Sequence, residues 1–276
     1  MSQVVPLVRQ EKDDQEAKYL YCIIKCSREC TFNGVQGLGD HTDPVHTVVF
    51  HELAAVVSDS PHTKYEITRA NMMAHQKVIE RVMDDGFTVL PVRFGTVTKK
   101  GTATPVEDIR HRLLENRFDE LESLHDELKD KVELGLKALW RDEKAIFDEI
   151  VAENLTVRKL RDSLMPLMAR PPEATHFDRM RVGELVRAAL DRKRRTEAKR
   201  VLSSIRPIAE RIRENKIIMD RMVLNAALLV DKDQEQACDE VVRNLDEELG
   251  ERMVLKYTGP IPPFNFCEIV VTWDEE

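Results

Sequence analysis

Long apolar runs are missing from this chain. A run such as Ala226 to Val230 falls far short of the roughly 20 residues a bilayer span requires, so no membrane-spanning helix is expected. The first residues carry no basic start and no apolar core. A short patch from Val4 to Val8 around Pro6 gives way to Glu11-Lys12-Asp13-Asp14, so no secretory leader is expected and residues 1–17 read as a disordered tail. An excess of positive charge is lacking too: 42 basic against 50 acidic residues leave a net charge of −8, which disfavours a general attraction to polyphosphate. Cysteines are few and odd in number, five in all, which fits a reducing cytoplasm and argues against a disulfide framework. What is present is the material of a folded protein with a charged surface, 42% hydrophobic and 33% charged. At 276 residues the chain exceeds a typical single core, so two domains are expected.

Tyr19 to Cys26 is rich in aromatic and β-branched residues and reads as a first strand, followed by a turn-rich loop from Asn33 to Gly39. Val45 to Ser58 is long enough for a hairpin turning near His51-Glu52 beside that strand. Thr63-Lys64-Tyr65-Glu66 has the form of a capping box, and Ile67, Ala70, Ala74, Val78 and Val82 then predict the apolar stripe of a helix ending at Gly86. A core strand is expected from Phe87 to Val97. Thr104-Pro105-Val106-Glu107 places an N-cap hydroxyl before a proline at the first helical position, and a stripe from Val106 through Ile109, Leu113, Phe118, Leu121 and Leu124 to Leu128 follows. Alternation from Val132 to Trp140 predicts a half-buried strand. From Asp142 to about Asn215 the pattern is helical, interrupted at Asn154, Pro166 and Pro171-Pro172. A strand from Met222 to Val230, a helix through Ala237, Val241, Leu245 and Leu249 ended by Gly250, and a strand from Met253 to Tyr257 close the chain.

The class is therefore α+β, with two modified ferredoxin-like (split βαβ) domains, the second enriched in long helices. The boundaries read as 18–130 for the first and 131–276 for the second, the latter ending in a Pro-rich strap.

No catalytic or metal-binding set emerges. Cys22 and Cys26 on one strand would lie roughly 13 Å apart, too far to share a zinc ion, so Cys22, Cys26 and Cys30 read as buried free thiols. His46 and His51 have opposite parity and face opposite ways, which dissolves the apparent cluster with His41. Gly34 to Gly39 lacks the Lys-Ser/Thr of a phosphate loop. The basic run from Arg192 to Arg200 has Asp191 and Glu197 nearby and no aromatics, so a solvated helix face or ion pairing outweighs nucleic-acid binding, with an acidic protein partner as the next reading. Two segments resist a bland reading. Pro91 inside an apolar strand belongs at an edge or bulge, and Arg93 beyond it needs partners, an ion pair to a helix being the structural option. Tyr257 to Phe266 holds three prolines and a glycine, which exclude helix and central strand, while its aromatics would dock it on a surface.

These two segments, with Arg221 to Val230, resemble the signature blocks of the gas vesicle protein F/L family. His75-Gln76 and Val89 to Thr96 resemble its His-Glu/Gln…Val-Leu-Pro-x-Arg-Phe-Gly-Thr pattern. Gly259 to Phe266 resembles its Gly-Pro-Trp-Pro-Pro-Tyr-x-Phe stretch, with Ile261 in place of Trp and Phe264 in place of Tyr. The resemblance implies a cytoplasmic, gas-vesicle-associated accessory protein without catalysis or cofactor. It would assist shell assembly by binding shell protein A and other accessory proteins, and no nucleic acid or membrane. The residues it singles out for partner binding are Arg93, Phe94, Gly95, Thr96, Asn225, Pro260, Pro263, Phe264 and Asn265. The alternative is a small-ligand-binding protein or enzyme on a ferredoxin-like scaffold, with His75, Arg93 and Glu80 around an anion.

Overall fold

The computed structural model describes residues 17–38, 44–98, 104–164 and 176–273. Apart from Ala17, the expected tail lies outside them. The chain forms two compact units: the described residues up to Glu133 together with those from Pro260 onward, and Leu134–Gly259. Both mix helices with β-sheet.

The first unit is built around β1 (Ala17–Lys25), eight of whose nine residues are buried. Its antiparallel partner is β4 (Leu53–Ser60), and the hairpin of β3 (Pro44–Phe50) and β4 turns at His51-Glu52 as the sequence suggests, with His51 at φ 53. β2 (Thr31–Gln36) and β5 (Leu90–Pro91) complete a sheet of order β2-β3-β4-β1-β5. β2 replaces part of the expected loop. Only its Phe32 is buried, so pairing with β3 and not hydrophobic alternation makes it a strand. Beyond it Gly37 is obligatory: a Cβ there would meet Ser58 Oγ at 2.6 Å, where the Tyr21 hydroxyl accepts the Leu38 N–H.

Helix α1 (Arg69–Asp84) starts later than the capping box suggests. Thr68 is the N-cap, accepting from the Asn71 amide, while the Tyr65 hydroxyl, 2.8 Å from Ser60 Oγ and 3.2 Å from the Leu38 carbonyl, ties the preceding residues to the sheet. Ile67 is consequently 80% exposed, and the buried stripe is His75, Val78, Ile79 and Val82. Thr104 caps α2 (Pro105–Glu107) as expected, but a π-helix over Asp108–Glu115 follows before α3 (Phe118–Leu128). Its wider turns rotate the buried face. Leu114 and His125 are buried, and Phe118 and Leu124 only half so.

β6 (Lys131–Trp140), which enters the second unit at Leu134, buries Val132, Leu134, Leu136, Ala138 and Trp140, as the period-two pattern requires. Helices α4 (Glu143–Glu153), α5 (Leu155–Leu164) and α6 (His176–Ile205) fill the expected helical stretch. β7 (Arg211–Glu214), β8 (Met222–Asp231), α7 (Glu235–Leu249) and β9 (Met253–Ile261) follow, and the strand order is β7-β8-β6-β9. β7 escapes sequence reading because Arg-Ile-Arg-Glu offers a single apolar residue. β9 runs on through Gly259-Pro260, which an edge position permits. A charged knot fastens the helices. Arg252 donates to both Glu149 oxygens at 2.8 Å and to Glu197 at 2.6 Å, Glu197 accepts the Trp140 indole N–H at 2.6 Å, and Lys193 reaches Glu149 at 2.7 Å. Hydrogen bonding from Arg252 and then Lys193 outweighs desolvation and holds the Glu149 carboxyl down at about 2.

The C-terminal boundary differs from the sequence reading of a second domain over 131–276. Residues from Pro260 on belong to the first unit, where the Ile269 amide donates to the Pro91 carbonyl (2.8 Å) and the Arg93 amide to the Ile269 carbonyl (2.9 Å). The reason is the open side of β5: its two residues leave backbone groups unpaired, and Cys267 and Ile269 are buried in covering them.

Candidate functional site

The segment after β5 follows β1 but not in step. Pro91 pairs with Cys22 and Val97 with Tyr19, six steps along the segment against three along β1, so three residues loop out: Arg93, Phe94 and Gly95. Pro91 therefore sits on the edge strand, as its missing donor demands. Its carbonyl accepts from Ile269, and nitrogen and oxygen of an extended residue point the same way, so the absent N–H costs β1 nothing. Thr96 closes the loop by donating from Oγ1 to the Arg93 carbonyl at 2.7 Å. Gly95 adopts φ +82, a conformation open to glycine, and donates its amide to the Tyr19 hydroxyl at 2.9 Å.

Beneath the loop lies His75. Its Nδ1 is 3.0 Å from the Tyr19 hydroxyl, and its ring packs on Tyr21 and Phe94 with centroids 5.6 and 5.7 Å away. Burial pushes its pKa down to about 4, opposed in part by a hydrogen bond to the Val92 carbonyl. A neutral ring donating to Val92 leaves Nδ1 to accept from Tyr19, whose oxygen accepts in turn from Gly95. The histidine thus positions the loop. Desolvation raises the Tyr19 hydroxyl as well, so it stays a donor throughout the accessible pH range.

Outside this relay is a cavity of about 250 Å³, walled by Met72, His75 and Gln76 of α1, Pro91 to Phe94, and Phe264, Cys267 and Glu268. Of the residues the sequence resemblance singled out, Arg93, Phe94 and Phe264 meet here, and Gly95 and Thr96 shape the loop. Asn265 is engaged elsewhere: its amide and its side chain both donate to Glu133, a carboxylate only 1% exposed, which alternation alone had placed on a polar face. Pro263 is buried, and Pro260 lies in β9. Asn225 belongs to the second unit, where it donates to the Lys216 carbonyl. Met72, missed by sequence reading as one apolar residue on a polar helix face, stands 49% exposed at the cavity.

The alternative acid–base set is not assembled. His75 and Arg93 line the cavity, but Glu80 does not and accepts from Gln76 instead. Arg93 pairs with Glu268 at 2.9 Å, a partner on the C-terminal segment and not on a helix. Both side chains are more than half exposed, so Arg93→Ala is expected to lower stability by less than about 1 kcal/mol in urea unfolding. A loss several times larger would make the pair a structural clamp.

The expectation of buried thiols holds for Cys22 but not for Cys26 and Cys30, which are half-buried with sulfurs 3.4 Å apart because the chain turns back after β1. Among the described residues no group of three or more His, Cys, Asp and Glu is placed to hold a metal ion, and no helix is long and apolar enough to cross a membrane.

Comparison with known proteins bears on this geometry. A family model described as gas vesicle synthesis protein GvpL/GvpF matches residues 17–268. Gas vesicle protein F of a Streptomyces species is 29% identical, covering 91% of this chain and 99% of its own. Gas vesicle protein F of Dolichospermum flosaquae is 27% identical over 82% of this chain and 88% of its own. The crystal structure of GvpF from Microcystis aeruginosa superimposes with a TM-score of 0.72 at 25% identity, covering 91% of this chain and 98% of that one.

Proposed function

The chain belongs to the GvpL/GvpF family of gas vesicle synthesis proteins, and on that premise we propose that it is a non-catalytic, chaperone-like cytoplasmic accessory that assists assembly of the vesicle shell. It binds shell protein A, and other accessory proteins, at the cavity under the Arg93-Phe94-Gly95 loop. The observation that carries this reading is the combination of a rigid frame and an adaptable rim. The loop is fixed from below by Tyr19 and His75, while Met72 of α1, nearly half exposed, lines the cavity beside it. Thioether side chains adapt to varied apolar partners, and a small apolar wall-forming subunit must be shielded until it joins the shell.

Connectivity supports the ferredoxin-like reading of both units. The second runs β6, helices, β7, β8, α7, β9 with β6 and β8 central, the order of a split βαβ fold. The first has the same order in β5-β1-β4-β3, with β2 standing where the first helix would be.

Co-expression tests the proposal. The full chain carrying a purification tag is expected to retain shell protein A, and Met72→Glu with Phe264→Ser to release it without loss of helical circular dichroism. Failure of the unaltered chain to retain shell protein A or any accessory protein, with vesicles intact in its absence, sinks the idea.

A further inference from the structure

In the second unit α6, β7 and the strand start of β8 enclose a groove of about 430 Å³ that the cavity under the loop does not involve. Arg195, Lys199 and Leu202 recur along it at helical spacing on one face of α6 and Arg206 follows one residue past the helix end, so three cations lie around a buried leucine. Their neighbours are satisfied within the fold: Lys193 by Glu149, Arg194 by Asp191 and the Met222 carbonyl, Arg200 by Glu248. Arg195, Lys199 and Arg206 are exposed and have no ion pair among the described residues, and Glu214 is the single acid in the groove's lining. This concentration stands out in a chain of net charge −8. The groove is also bounded by β7, the last strand in its sheet, whose outer side pairs with no strand among the described residues. Ile217, Val223 and Leu224 give its floor apolar character.

We propose that this groove binds an acidic, extended segment of a partner protein, adding beside β7 with its carboxylates toward Arg195, Lys199 and Arg206 and alternate apolar side chains on the floor. Charge complementarity and the open strand edge select that occupant. A nucleic acid fits less well, since no aromatic ring lines the groove for base stacking and the chain's overall charge repels a long polyanion.

Fluorescence anisotropy on the full chain decides it, using a labelled peptide in which Glu alternates with Val. Binding that weakens with salt is expected, together with a loss of about tenfold or more in the Arg195→Glu, Lys199→Glu double variant at unchanged melting temperature. The milder Arg195→Gln, Lys199→Gln pair gives the same direction if charge reversal perturbs folding. No binding by the unaltered chain, equal binding by the variants, or tighter binding of labelled single-stranded DNA than of the peptide would overturn the proposal.

Discussion

Replacing Lys18 with alanine is expected to destabilise the first unit by about 3–5 kcal/mol, the cost of stranding one partner of a buried ion pair. Lys18 is 1% exposed in β1, directly across from Asp59 in β4, and its ammonium is bonded to the Asp59 carboxylate. Its backbone is engaged as well, the amide donating to Thr98 Oγ1 at 2.8 Å and the carbonyl accepting from the Thr98 amide at 3.0 Å. Alanine keeps the backbone bonds and deletes only the cation, so the Asp59 carboxylate, with 12% of its side chain exposed, loses its counter-charge. Lys18→Met combined with Asp59→Leu is expected to recover most of the loss, because an apolar pair of similar volume avoids the desolvation cost. Urea unfolding checks both. A single-variant loss under about 1 kcal/mol would mean that Asp59 finds other partners or water.

Acidification is expected to unfasten the loop through His75. The free imidazole takes its proton near pH 6.5, but the folded one resists until about 4. Between those values the unfolded chain binds the extra proton, so stability rises with pH there. His75's contribution is complete above about 6.5 and is lost progressively as pH falls toward 4. Two and a half units at about 1.4 kcal/mol each amount to roughly 3.5 kcal/mol. Unfolding midpoints measured from pH 7 to pH 4 should show that decline, and His75→Phe should flatten it. An equal decline in the variant would assign the effect to carboxylates such as Glu149, whose folded pKa of about 2 gives the same sign at lower pH.

The sheets and most helices were legible because burial is periodic: the hairpin at His51-Glu52, the Thr104 cap and the alternation of β6 all follow from residue order. What was missed depends on contacts distant in sequence. β2 and β7 are strands by pairing and not by pattern. The buried ion pair of Lys18 went unread because its counter-charge lies 41 residues away. The Thr63 capping box lost to Thr68 because Tyr65 is held by Ser60 and Leu38. At the candidate site the motif pointed to the loop that walls the cavity, and the prolines and Phe264 to a docked segment. That the segment docks on β5, and that Met72 joins Arg93 and Phe94, required the fold.

The return of the C-terminal segment to β5 orders events during synthesis. Every helix of Leu134–Gly259, and every strand but the last two residues of β9, has been translated before Pro260, so that unit can close while the chain is still growing. The first unit cannot: Cys267 and Ile269, which cap its sheet edge, follow the whole of Leu134–Gly259 in the chain. Until then β5 and the loop that walls the cavity are uncovered, so the cavity is complete only after the second unit has been made.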